Sequence, residues 1–86
     1  MDDWRAFLDH ETRTCVAGLE LIGCRFTWRD ELTYGRPERI WFEIWRHGRL
    51  LNIAGPFPQP VRQDALDSVR DLILVVNRFL AFTQQY

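Results

Sequence analysis

The chain has 86 residues, 47% of them hydrophobic and 14% aromatic, with 11 basic against 12 acidic side chains and a formal charge of −1. This length holds a single domain, residues 1–86. The charge balance excludes both a generally cationic nucleic-acid coat and an acidic disordered tail. Every basic residue is Arg and none is Lys. Codon usage in a GC-rich genome produces that pattern, and it also supplies side chains that stack on aromatics and fork onto carboxylates or phosphates.

Asp2 or Asp3 caps a first short amphipathic helix near residues 3–11, on which Trp4, Phe7 and Leu8 share one face. The β-branched, alternating Thr12, Thr14 and Val16 end it near Glu11. Residues 19–29 then alternate as a half-buried strand. Ile22, Cys24, Phe26 and Trp28 fall on one side, and Arg25, Thr27 and Arg29 on the other. Gly18 and Gly23 mark a bulge or a close backbone approach. Residues 30–39 read as a loop, since Arg36 before Pro37 disfavours helix.

The strongest local signal is Arg39 to Ala54, two β-rich runs around Arg46-His47-Gly48-Arg49. A type I′ turn at His47-Gly48 needs positive φ at both residues, which Gly adopts freely and His tolerates better than most. That register pairs Arg46 with Arg49, Trp45 with Leu50, Ile44 with Leu51, Glu43 with Asn52 and Phe42 with Ile53. One face then holds Ile40, Phe42, Ile44, Leu51 and Ile53. The other holds Trp41, Glu43, Trp45, Leu50 and Asn52.

Residues 55–60, with three prolines, form an extended connection in which Phe57 tucks against the core. Asp64 caps a final helix, with Asp67 in its first turn. Its apolar face is Leu66, Val69, Leu72, Ile73, Val76, Phe79 and Leu80. Val75 and Phe82 widen that stripe beyond what one sheet face needs, so the helix covers a second surface as well. The fold expected is α+β, a single small α-β-β-β-α domain with a three-stranded antiparallel meander packed against terminal helices.

The longest unbroken apolar run, Leu72 to Val76, is far short of the roughly 20 residues of a membrane span. Met1-Asp2-Asp3-Trp4 has neither the basic nor the apolar region of a signal peptide. A cytoplasmic protein with no membrane contact and with Cys15 and Cys24 reduced is expected.

Candidate chemistry is sparse. His10, Cys15, Cys24 and His47 lack the close ligand pairs of a zinc site, so no metal and no cofactor is expected. The one serine, Ser68, lies inside the last helix, neither cysteine has a nucleophile's context, and no Gly-rich phosphate loop is present. An enzyme is therefore not expected. Glu43, among tryptophans, reads as paired to Asn52 or to an Arg.

The notable feature is the middle of the chain. Residues 25–49 carry a net charge of +2 together with Trp28, Tyr34, Trp41, Phe42 and Trp45, whereas residues 1–24 carry −3. Arg and Trp are the residue types of interface hot spots. The expected function is a small non-enzymatic protein-interaction module, homodimeric, using Trp41, Glu43, Trp45, Leu50, Arg46, Arg49 and Arg39 on the sheet, with Val75 and Phe82 on the helix. Accessory or inhibitory proteins of mobile genetic elements are one class of this build, although no motif selects them. The alternatives are a nucleic-acid binder using Arg25, Arg29, Arg39, Arg46 and Arg49 with Trp41 and Trp45, and a small-ligand pocket lined by Trp28 and Phe57.

Overall fold

The computed structural model describes residues 3–83, with backbone only for Thr33 and Pro37. A 3₁₀ turn over Trp4–Phe7 leads into helix α1 (His10–Leu21), strands β1 (Cys24–Thr33), β2 (Arg36–Arg46) and β3 (Arg49–Pro58), and helix α2 (Gln63–Thr83). The strands form one antiparallel sheet in the order β1-β2-β3. This is the α+β fold, α-β-β-β-α, that the sequence pattern implies. Both helices lie on one face. Val16 and Leu19 of α1 and Leu66, Val69, Ile73, Val76 and Leu80 of α2 join Cys24, Phe42 and Ile44 in a common core, capped by Trp4 and Leu8. No helix among the described residues is long and apolar enough to cross a membrane.

The first helix differs from the sequence expectation. Residues 3–9 hold only the 3₁₀ turn, which Asp3 precedes without a side-chain cap bond, while Asp2 lies outside the described residues. The helix proper starts after Asp9, whose carboxylate accepts the Thr12 N–H at 2.8 Å. Thr12, Val16 and Leu19 then form its buried stripe, and the Thr14 hydroxyl donates to the His10 carbonyl at 2.9 Å. Burial and a good cap outweigh the β propensity of Thr12, Thr14 and Val16. The helix consumes residues 19–21, and Gly23 at φ 96° turns the chain, so the first strand begins at Cys24 rather than at residue 19. Its alternation is as read: Cys24, Phe26 and Trp28 face the core, while Arg25, Thr27 and Arg29 face away.

Residues 30–39 are not a loop. They finish β1 and begin β2 around Tyr34-Gly35, at φ 53° and 75°. The second turn is the expected one, His47-Gly48 at φ 51° and 78°. Arg46 pairs with Arg49 and Trp45 with Leu50, but a bulge follows. Leu51 becomes an extra residue, so Ile44 meets Asn52, Glu43 meets Ile53 and Phe42 meets Ala54. A one-residue slip exchanges faces. Ile53 therefore leaves the core side and Asn52 joins it, its side chain accepting the Ile53 N–H at 2.9 Å.

The proline-rich stretch also stays in the sheet, through Pro58, because β3 is an edge strand and its outward side needs no donor. Phe57 packs against the core as expected. The last helix starts one residue before Asp64, which accepts the Ala65 N–H at 3.0 Å from within the first turn. Phe79 points outward rather than into the core.

Candidate functional site

The face of the sheet opposite the helices is formed by alternate residues of β1 and β2. Arg25 stands opposite Trp45, Thr27 opposite Glu43, Arg29 opposite Trp41 and Glu31 opposite Arg39. Ile53 and Leu50 of β3 extend it beside Glu43 and Trp45. Cross-strand neighbours on one face lie about 4.5–5.5 Å apart at Cβ, close enough for each pair to touch.

Glu43 is the centre. It is only 5% exposed although no described helix lies above it. Its neighbours on the sheet bury it. One carboxylate oxygen accepts the Thr27 hydroxyl at 3.2 Å and the Trp45 indole N–H at 3.4 Å. The other stands 3.5 Å from Arg29 Nε. A buried carboxylate needs such partners, and here they come from three side chains on two strands. Of the two partners the sequence offers Glu43, an Arg is the one found, while the bulge carries Asn52 to the other face. Trp41 is held in the same manner, its indole N–H donating to Glu31 at 3.1 Å. Gly55 lets the Trp41 ring lie close: a Cβ there would stand 3.2 Å from the ring and 3.1 Å from the Ile40 carbonyl oxygen, at a φ of 128°.

Both tryptophans are therefore fixed in orientation and half-buried, with their rings available. Two hollows flank them. One is lined by Arg25, Thr27, Trp45, His47 and Gly48, the other by Arg29, Asp30, Glu31 and Trp41. Arg25 and Arg39 have no carboxylate partner among the described residues, so the face carries uncompensated positive charge beside its apolar surface.

The residues expected at the site divide into three places. Trp41, Glu43, Trp45, Leu50 and Arg39 come together on this face. Arg46, one residue beyond Trp45, points to the other side and donates from Nε to the Ile22 carbonyl at 3.0 Å. It clasps the end of α1, and Arg49 stands opposite it at the turn. His47 closes the same joint, since its ring lies against Gly23. Val75 and Phe82 are exposed on α2, away from the sheet's open face. Thr27, Arg29, Glu31 and Ile53 belong to the site as well. Thr27 and Arg29 were legible as the outward side of a strand, whereas Glu31 read as part of a loop and the bulge that delivers Ile53 leaves no mark in the sequence.

Trp28 and Phe57, the lining of the alternative ligand pocket, pack against the core. Trp28 contacts Phe42 edge-on at 5.0 Å and Trp4 at 6.2 Å. His10 and His47 are exposed at separate ends, and the described residues contain no cluster of three or more metal-ligating side chains. Burial is the main cause that raises both thiols above their ordinary value. At Cys15 the Glu11 and Asp9 charges add to it, and at Cys24 Arg46 offsets part of it. Comparison of the chain with family models, with curated proteins and with solved structures finds no match.

Proposed function

We propose that this chain is a cytoplasmic, non-enzymatic binding module whose open sheet face docks a partner protein. The partner presents an apolar surface rimmed by carboxylates. The observation that carries this reading is the combination of Trp41, Trp45, Leu50 and Ile53 with Arg25 and Arg39, which have no carboxylate partner among the described residues, on a face that no other described element covers. Oriented, half-buried indoles lose little side-chain freedom on binding, and Arg and Trp are the residues that dominate interface energetics. Electrostatic complementarity to Arg25 and Arg39 favours acidic partners.

A nucleic-acid reading fits less well. Glu31 and Glu43 hold the two indoles, and Asp30 and Glu31 line the hollow beside Trp41, so phosphates approaching the stacking surface meet carboxylates. Capture from the native host tests both readings. The protein is expected to retain one acidic partner. The Trp41→Ala/Trp45→Ala and Arg25→Glu/Arg39→Glu variants are expected to lose it while keeping the wild-type circular dichroism. Retention by both variants refutes the site. Recovery of nucleic acid with a steep salt dependence selects the alternative.

A further inference from the structure

Helix α2 carries two apolar stripes. Leu66, Val69, Ile73, Val76 and Leu80 are all 5% exposed or less and fill the core. Leu72, Val75, Phe79 and Phe82 recur at steps of three, four and three residues, displaced by roughly 100° around the helix. Val75, Phe79 and Phe82 are 57%, 59% and 62% exposed. The core stripe therefore does not account for Val75 and Phe79. Their spacing is that of the a and d positions of a heptad seam. Val75 and Phe79 also border a groove whose other wall is Leu51 and Asn52 of β3.

We propose that this second seam receives α2 of a second copy of the chain, in an antiparallel pair across a two-fold axis near Val75. The charges beside the seam select both the occupant and its direction. With Leu72 and Phe79 at a, Asp71 and Arg78 both take position g, one heptad apart on the same margin. In an antiparallel pair the g positions of the two helices face each other, so Asp71 of each copy meets Arg78 of the other. A parallel pair sets Asp71 against Val76, which is already buried in its own core and offers no charge. Arg78 has no ion-pair partner within the chain among the described residues, and Asp71 is engaged only by its neighbour Arg70 in an exposed contact at 3.3 Å. The antiparallel arrangement also sets the positive end of each helix dipole beside the negative end of the other. The sheet's open face is untouched by this pairing, so the dimer presents two copies of it.

Sedimentation at micromolar concentration tests the pairing. The wild type is expected at twice the 10.3 kDa of one chain. Phe79→Arg is expected at the mass of one chain with unchanged far-ultraviolet circular dichroism. Asp71→Arg places like charges at both ends of the seam and is expected to weaken the dimer by about tenfold. Adding Arg78→Asp restores opposite charges and the wild-type affinity, a rescue that a merely destabilised fold does not give. A wild type of single-chain mass throughout the micromolar range overturns the proposal. So does a dimer indifferent to the Asp71→Arg exchange, or one that Trp41→Ala/Trp45→Ala dissolves in place of Phe79→Arg.

Discussion

The two faces of the sheet bury their central residues by different means. On the helix side, Phe42 and Ile44 are fully buried beneath side chains from distant parts of the chain: Trp4, Leu19, Val69 and Ile73. Volume and shape hold that face, and the Phe42 side chain has no group that could hydrogen-bond. On the open side Glu43 is nearly as inaccessible, yet its cover is Thr27, Arg29 and Trp45, and every contact is directional. The first kind of burial stabilises the fold. The second fixes the geometry of a surface and leaves the rings above it available to a partner. A two-layer domain of this size thereby keeps a rigid face without a third layer to support it.

Substitutions at the two centres set this contrast against measurement. Phe42→Ala removes an aromatic from the packed face and is expected to cost about 3–5 kcal/mol in denaturant unfolding, a large share of the roughly 5–15 kcal/mol typical of a domain. A loss below about 1 kcal/mol shows that the helices do not seal that face. Glu43→Ala leaves the Thr27 hydroxyl and the Trp45 N–H without their acceptor and is expected to cost about 1–3 kcal/mol. Glu43→Gln, which keeps an acceptor for both, is expected to cost less. Equal losses for the two variants locate the effect in side-chain volume and erase the contrast.

Thiol labelling of the native protein reads the same division without mutation. Cys24 faces the core and Cys15 is only half-buried, so Cys24 is expected to react more slowly at neutral pH. Faster labelling of Cys24 reverses the face assignment of β1. The smallest effect belongs to Asp9, which lies on neither face. Hydrogen bonding from Thr12 holds its carboxyl below the ordinary 3.8. A depressed carboxylate contributes stability above its unfolded pKa and loses it as the pH falls through the folded value. The melting curves of Asp9→Ala and wild type are therefore expected to differ slightly at neutral pH and to converge below pH 3.8. Divergence in acid shows that the cap acts other than through its charge.

Much of this architecture was legible in the residues themselves. The alternation of Cys24, Phe26 and Trp28 against Arg25, Thr27 and Arg29, and of Trp41, Glu43 and Trp45 against Ile40, Phe42 and Ile44, placed the two faces correctly. Gly48 announced its turn. The failures have physical causes. Tyr34-Gly35 makes the same turn as His47-Gly48, but a bulky residue rarely takes positive φ and gives no turn signal. Thr12, Thr14 and Val16 favour strand until burial against α2 is known. No turn residue or break in the alternation marks the Leu51 bulge, so neither the register beyond Trp45 nor the arrival of Ile53 at the site was readable. The exposed half of α2 was foreseen at Val75 and Phe82, whereas Phe79, on the same seam, read as core.

The sheet has two edges, and they are not alike. β3 carries Pro56 and Pro58, which have no N–H to offer a further strand. β1 contains no proline and is guarded only by the charges of Arg25, Arg29, Asp30 and Glu31. Strand-to-strand polymerisation requires two receptive edges per molecule. A chain that meets another through β1 presents the blunted β3 edge on both outer sides of the joined sheet, so growth stops at a closed pair. Misassembly through this sheet is thus a terminating event rather than a fibre-forming one, a safeguard written by two prolines far from the surface that carries the Trp–Arg face.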